Sequence, residues 1–143
     1  MNNPFILLVD DEVAFVEAIK KRLVKRDLKV ISAHSGPDAL EIMKQNSALD
    51  AVILDVKMPG MDGIETLKEI KKEYPLVEVI MLTAHATVET AIEGMKRGAF
   101  DYLMKPCEID QLISKVSEAT AKKRSHEEKI REARIKELAS RHG

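Results

Sequence analysis

Three short stretches of almost unbroken apolar residues constrain the fold more than any other feature of the chain. They are residues 5–9, 51–54 and 77–82. Near-continuous rather than alternating apolarity is expected of strands in a parallel sheet that is covered on both faces. Weaker strand candidates lie at residues 29–33 and 102–104. The chain is therefore predicted to form a buried parallel sheet of five strands.

Helical patterns lie between these predicted strands. Phe15, Ile19 and Leu23 recur every four residues, and apolar residues recur every three or four positions within 64–70 and 88–95. Strands and helices thus alternate through five β/α units. An alternation of this kind predicts an α/β fold with a doubly wound sheet.

Polar residues follow four of the predicted strands, at the point where each strand ends. Asp10 and Asp11 come after the first strand, Asp55 after the third, Thr83 after the fourth and Lys105 after the fifth. The carboxyl ends of parallel strands share one edge of the sheet, and ligands bind in the crevice there. These five residues are therefore expected to converge on one pocket.

The residue types in that pocket indicate phosphoryl chemistry. Three neighbouring aspartates repel one another, and a hard divalent cation such as Mg²⁺ with oxygen ligands relieves that repulsion. Lys105 adds a positive charge that can pair with an anion, and Thr83 adds a hydroxyl donor. The Asp55 carboxylate is the natural nucleophile, because an aspartate can form an acyl phosphate.

The motifs resemble those of the receiver domain of bacterial two-component response regulators. They occupy residues 8–12, 55–63, 83–84 and 105–106, and the resemblance extends from residue 4 to about residue 120. It implies a flavodoxin-like (βα)5 fold with strand order 2-1-3-4-5. Residues 83–85 and 98–103 most resemble receivers of enhancer-binding transcription regulators.

The resemblance also implies a role for each acidic residue. Asp55 would accept a phosphoryl group from a sensor histidine kinase or a phosphotransfer protein. Asp11 and Asp55 would bind Mg²⁺ directly, Asp10 would act largely through water, and the backbone carbonyl of Lys57 would be a further ligand. Beyond its own phosphoryl transfer and dephosphorylation, the chain is not expected to be an enzyme.

The remaining implied roles concern the response to phosphorylation. Lys105 would contact the phosphoryl group, and a cis peptide bond between Lys105 and Pro106 would orient the lysine, although most X–Pro bonds are trans. Thr83 would move toward the phosphoryl group, and Tyr102 would turn inward with it. The surface of the fourth helix, fifth strand and fifth helix would change as a result.

Other interpretations of these residues remain open. Asp10 and Asp11 could cap the first helix, and Tyr102 could be an ordinary half-buried strand residue. An Mg²⁺-dependent aspartyl-phosphate hydrolase would use the same acids, but it usually needs a second acid where this chain has Lys57. A receiver-like scaffold without phosphoryl chemistry is the other alternative, and the intact set of site residues argues against it.

The C-terminal part of the chain has a different charge from the rest. Residues 1–120, the predicted receiver domain, carry 15 Lys and Arg against 20 Asp and Glu, whereas residues 121–143 carry 8 against 4. Helical periodicity begins at Ile109 and no Pro or Gly interrupts residues 117–142. We expect residues 121–143 to be a basic helical extension, either a solvated, partly frayed linker or a dimerisation or docking helix.

Composition limits the possible partners and the cellular setting. Aromatic residues are 3% of the chain with no Trp, which disfavours stacking on single-stranded nucleic acid, and direct DNA binding is not expected. A single cysteine, Cys107, excludes an internal disulfide, and no apolar run could span a membrane, so a cytoplasmic setting is predicted. The expected partner is a downstream protein, an output domain of a longer regulator, or a second copy of the chain. A second copy would bind through the fourth helix, fifth strand and fifth helix or through the C-terminal helix.

Overall fold

Strands and helices alternate along the chain in a computed structural model that describes residues 3–142, without the side chain of His142. The elements are β1 (Phe5–Val9), α1 (Val13–Lys25), β2 (Lys29–Ala33), α2 (Gly36–Lys44), β3 (Ala51–Leu54), α3 (Gly63–Glu73), β4 (Glu78–Thr83), α4 (Val88–Lys96), β5 (Asp101–Met104) and α5 (Ile109–His142).

The five strands form one parallel sheet in the order β2-β1-β3-β4-β5. This confirms the predicted α/β class and the strand order 2-1-3-4-5. β4 continues one residue beyond the predicted strand because Thr83 pairs with Met104 of β5. The parallel arrangement brings the carboxyl ends of all five strands to one edge of the sheet, called the carboxyl edge below, and their amino ends to the opposite, amino edge.

Alternate residues of each strand enter two separate hydrophobic cores, which explains why the strand sequences are apolar without interruption. Leu7 of β1 packs with α2 and α3 on one face, through residues such as Met43 and Ile70. Leu8 packs with α1 and α5 on the other face, through residues such as Leu23. Both faces of the sheet are thus covered, as the apolar runs predicted.

Helix starts follow signals that are visible in the sequence. The Ser35 side chain accepts a hydrogen bond from the Asp38 N–H at the start of α2, and the Asp62 side chain accepts one from the Glu65 N–H at the start of α3. These side chains satisfy backbone donors that have no partner within the helix.

α5 is continuous from Ile109 to His142 and crosses residue 120 without a break. Its first half packs on the sheet through Leu112, Val116 and Ala119, whereas Ile135 and Leu138 near its end are more than half exposed. Among the helices within residues 3–142, none is both long and apolar enough to cross a membrane.

Candidate functional site

Three carboxylates meet at the carboxyl edge of the sheet. Asp10 and Asp11 follow β1, Asp55 follows β3, and one oxygen from each of the three side chains lies within 4.8 Å of the others. Asp10 and Asp55 are buried, whereas Asp11 is exposed. The structure thus brings together acids that lie 45 residues apart in sequence.

Lys105, just after β5, supplies a positive charge to this cluster. Its Nζ lies 2.6 Å from Asp10 Oδ2, 3.4 Å from Glu12 Oε1 and 3.9 Å from Asp55 Oδ2. The lysine side chain is 10% exposed, so solvent screens these pairs weakly. The peptide bond between Lys105 and Pro106 is cis.

Charge and burial oppose each other at this cluster. Burial raises the pKa of Asp10, although the hydrogen bonds from Lys105 and from the Glu12 N–H counteract part of this effect. Burial by itself would lower the pKa of Lys105, but its hydrogen bond to Asp10 and the charges of Asp10, Asp55 and Glu12 outweigh burial and raise it. The lysine therefore stays charged, and further positive charge nearby would stabilise the ionised form of the buried acids.

Thr83, the last residue of β4, lies beneath the turn that leads to α4. Its side chain is fully buried, and its Oγ1 accepts a hydrogen bond of 3.0 Å from the His85 N–H. His85 is exposed and lines the same cleft as Asp55.

Tyr102, in β5, is half-buried beneath α4. Its hydroxyl lies 2.6 Å from the Thr90 hydroxyl, and Thr90 in turn forms a capping box with Thr87 at the start of α4. A Cβ atom added to Gly94 would lie 3.5 Å from the tyrosine ring. The phenol thus contacts the first turn of the helix that follows Thr83.

The loop after Asp55 requires a glycine. A Cβ atom on Gly63 would lie 1.9 Å from the backbone oxygen of Asp55, and the Gly63 N–H donates to the Val56 carbonyl at 2.6 Å. The Val56 N–H also donates to Asp55 Oδ1 at 2.8 Å, which fixes the carboxylate. Close packing of α3 against this loop therefore depends on the missing side chain.

An open cleft of about 510 Å³ gives access to the acids. Asp11, Glu12, Asp55, Lys57, Met58, Pro59 and His85 line it. The side chain of Lys57 is exposed at this cleft. The cleft thus contains three of the predicted site residues, Asp11, Asp55 and Lys57, and Lys105 adjoins it through its ion pairs.

The donor set fits a hard divalent cation. Three carboxylates supply oxygen ligands of the type that Mg²⁺ uses, and Asp10 is held in a buried position where its ionisation is unfavourable. Among the described residues, the ion pairs of this cluster all go to Lys105. A bound cation would supply the missing positive charge.

Comparison with known proteins decides the family. The family model described as the response regulator receiver domain matches residues 6–117, which is most of the chain. The chain belongs to this family. Receivers are components of two-component systems and act in phosphorylation-dependent signalling, as the sequence motifs indicated.

Curated relatives of this receiver are longer proteins. It is 41% identical over 127 residues to the transcriptional regulatory protein ZraR of Klebsiella oxytoca, covering 89% of the receiver chain and 28% of ZraR. It is 34% identical over 119 residues to the DNA-binding transcriptional regulator NtrC of Escherichia coli K12, covering 83% of the receiver chain and 25% of NtrC. The chain thus spans about a quarter of the length of these relatives.

Solved structures show the same fold. A receiver domain protein from Clostridium thermocellum matches with a TM-score of 0.81 and 38% identity, over 85% of this receiver and 97% of that chain. The receiver domain of NtrX from Brucella abortus matches with a TM-score of 0.76 and 34% identity, over 81% of this receiver and 98% of that chain. The match to whole receiver chains confirms the family at the level of structure.

Two residues that the sequence analysis did not assign to the site contact it in the structure. The ring of Phe15 lies against the Lys105 ammonium, 3.8 Å from Nζ to the ring centroid. His34, after β2, donates from Nδ1 to the Asp10 carbonyl at 3.0 Å. Helical periodicity had indicated Phe15 only as a core residue, because periodicity carries no information on which neighbour a ring faces.

Proposed function

We propose that this receiver is a signalling switch whose phosphoryl acceptor is Asp55. The observation that supports this most directly is the position of Asp55 in the acid cluster, at the cleft and 3.9 Å from the Lys105 ammonium. A carboxylate in this position lies beside an ammonium that can bind phosphoryl oxygens, and it is reached from solvent through the cleft. Aspartate carboxylates in such settings form acyl phosphates.

The phosphoryl donor would be a phosphohistidine of a sensor histidine kinase or a phosphotransfer protein. An Asp55 oxygen forms the new bond to phosphorus as the phosphorus–nitrogen bond breaks, and the leaving imidazole nitrogen keeps the electron pair of that bond and takes a proton from solvent. Lys105 stabilises the charge on the phosphoryl oxygens during transfer.

Mg²⁺ is the cofactor that these residues would hold. Asp11 and Asp55 would bind it directly, Asp10 would act largely through water, and the carbonyl of Lys57 would be a further ligand. When bound, it supplies positive charge to the phosphoryl oxygens. The fit of three carboxylates within 4.8 Å supports this assignment.

Thr83 and Tyr102 would carry the response to phosphorylation. A phosphoryl group adds about −1.5 to −2 charges, by analogy with other phosphorylated side chains. The Thr83 hydroxyl would donate to it, which shifts the turn at His85 and changes the packing of Tyr102 under α4. The contact of Tyr102 with Thr90, 2.6 Å between hydroxyl oxygens, supports a link between that turn and α4.

The surface formed by α4, β5 and α5 would then select a partner. Val88, Ile92 and Met95 of α4 and Met104 of β5 are each about half exposed or more, which suits an apolar contact. A downstream protein, an output domain or a second copy of the chain would bind there, and the C-terminal helix is an alternative dimer contact. The division into residues 1–120 and 121–143, and the cytoplasmic setting, stay predictions.

Acetyl phosphate with Mg²⁺, followed by intact mass spectrometry, tests the phosphoryl acceptor. We expect one phosphoryl group on the wild-type chain and none on Asp55→Asn. Asp38→Asn, which changes an exposed acid of α2, is the control and should be labelled like the wild type. Equal labelling of Asp55→Asn, or no labelling of the wild type, would contradict the proposal.

The same samples test the response. Size-exclusion chromatography with light scattering, before and after labelling, should show a change in association for the wild type and none for Asp55→Asn. A change in both would show that association does not depend on phosphorylation.

A further inference from the structure

Each of the three phenylalanines in this chain has a lysine ammonium over its ring. Lys29 Nζ lies 4.5 Å from the Phe5 centroid and Lys122 Nζ lies 5.6 Å from the Phe100 centroid. The third pair, Lys105 over Phe15, is the shortest at 3.8 Å. It is also the pair whose lysine belongs to the acid cluster.

The position of Phe15 follows from where α1 begins. α1 starts at Val13, directly after the acidic turn, so Phe15 lies in its first turn. Side chains of a helix lean toward its N-terminus, and this direction carries the Phe15 ring toward the carboxyl edge. The same side chain packs against the core formed by α1, α5 and the sheet, which restrains the ring.

The ring and the carboxylates attract Lys105 in different ways. Asp10 accepts its hydrogen bond at 2.6 Å and draws it away from Asp55, which is 3.9 Å distant. An aromatic face attracts an ammonium within about 6 Å of its centroid, and does so more strongly when water is excluded. A carboxylate accepts a hydrogen bond from the ammonium, whereas the aromatic face attracts it through the electrostatic field of the ring. The ammonium N–H groups therefore stay available to donate to an anion.

We propose that Phe15 is a positioning residue that holds the Lys105 ammonium within reach of a phosphoryl group on Asp55. This inference rests on the proposed function, in which Lys105 meets the phosphoryl oxygens. A lysine side chain has four flexible methylenes, so fixing its end reduces the freedom lost at transfer. An aliphatic residue at position 15 would fill the same space without attracting the ammonium.

Phosphorylation rates of Phe15 variants test this role. With acetyl phosphate and saturating Mg²⁺, Phe15→Leu should lower the maximal rate of labelling by about three- to ten-fold, the range that a partly desolvated cation–π contact supplies. Phe15→Tyr keeps the aromatic face and should restore most of the rate. Phe100→Leu removes the ring near Lys122 and should label at the wild-type rate.

A double-mutant cycle separates positioning from a general loss of packing. In a Lys105→Met background, Phe15→Leu should have no further effect on the rate, because the ring acts through the ammonium. An equal loss in both backgrounds would show that Phe15 acts on packing alone and would overturn the inference. An unchanged rate in Phe15→Leu would overturn it as well.

Nuclear magnetic resonance of the lysine side chain gives a readout that needs no phosphorylation. The ε-methylene protons of Lys105 should be shifted upfield by the ring current, and the shift should disappear in Phe15→Leu but not in Phe15→Tyr. Absence of the shift in the wild type would overturn the contact itself. Failure of the wild type to be labelled, with the shift present, would instead overturn the proposed acceptor function and leave the contact established.

Discussion

Acidic side chains are buried at both edges of the sheet, but the chain neutralises them to different extents. At the amino edge, Asp50 precedes β3 and is 3% exposed. It accepts a hydrogen bond of 2.9 Å from the Phe5 N–H, and α5 places Lys123 and Arg124 at 3.5 Å and 3.1 Å from its oxygens. One carboxylate thus has two cations and a backbone donor.

Glu78, the first residue of β4, is neutralised in the same way. Lys71 of α3 lies 3.2 Å from its Oε1 and Lys122 of α5 lies 3.0 Å from its Oε2, the latter as an ion pair without hydrogen-bond geometry. α5 therefore contributes cations from residues 122–124 to both acids of the amino edge. These pairs attach the extended helix to the base of the sheet.

The carboxyl edge has the opposite balance. Asp10, Asp55 and Glu12 share the ammonium of Lys105, and Asp11 adds a further carboxylate to the cluster. Acids that the chain itself neutralises hold the structure together, whereas acids left with excess negative charge can bind a cation. The two edges therefore differ in how far the chain itself compensates their negative charge.

Removing an acid from the amino edge should have the largest effect. We expect Asp50→Asn to lower the free energy of unfolding by about 3 kcal/mol, because Lys123 and Arg124 both lose a buried carboxylate and buried Lys123 is left with the more exposed Glu127. Urea unfolding followed by circular dichroism measures this change. A loss well under 1 kcal/mol would show that the amino-edge pairs contribute little.

Mg²⁺ should stabilise the carboxyl edge selectively. At a concentration of 100 times its dissociation constant, a cation that binds only the folded chain adds about 2.7 kcal/mol. We expect Asp11→Ala to lose most of this increment and Asp50→Asn to keep it, as measured by unfolding with and without Mg²⁺. An equal increment in wild type and Asp11→Ala would place the cation elsewhere.

Removing an acid from the carboxyl edge should not destabilise the chain. Without Mg²⁺, Asp55→Asn should leave the free energy of unfolding unchanged or raise it by up to about 1 kcal/mol, because it relieves repulsion within the acid cluster. The amide oxygen can still accept from the Val56 N–H. A loss as large as that of Asp50→Asn would remove the distinction between the two edges.

The smallest loss of stability is expected at the exposed end of the amino-edge network. Lys122 has a side chain that is 48% exposed, and Glu78 keeps Lys71 when Lys122 is replaced. Lys122→Met should therefore cost about 0.5 kcal/mol, as exposed ion pairs do. Lys129→Met, at an exposed position further along α5, is the matched control. A cost above 2 kcal/mol would show that Lys71 alone does not neutralise Glu78 when Lys122 is replaced.

Local patterns were sufficient for the strands. β1 and β3 begin and end where the apolar runs predicted, because a strand buried on both faces has no polar position to obscure the pattern. The C-terminal helix is harder to predict from local patterns, because its apolar positions are sparse after Thr120. It is helical to His142, helped by pairs such as Glu137 with Arg141 at 2.6 Å.

The positions of the acids and of Lys105 follow from a general property of parallel sheets, whereas the contacts of Phe15 and Tyr102 around them do not. Asp10, Asp55 and Lys105 each follow a strand, and a parallel sheet brings strand ends together. The contact of Phe15 with Lys105 has no such rule, because a helix period does not specify what the ring faces. Likewise, the Tyr102 hydroxyl contacts Thr90 through the packing of α4, which no local pattern encodes.

The sequence by itself determined the sheet, its order through the family resemblance, and the meeting of acids and lysine at the carboxyl edge. Only the tertiary structure decided which acids are neutralised. Asp50 meets Lys123 and Arg124 across more than 70 residues, so its structural role cannot be read from its neighbours in the chain. Whether a buried carboxylate is neutralised depends on its distance from lysine and arginine side chains in the folded chain. That distance distinguishes the paired acids of the amino edge from the acids of the carboxyl edge, which remain available to bind a cation.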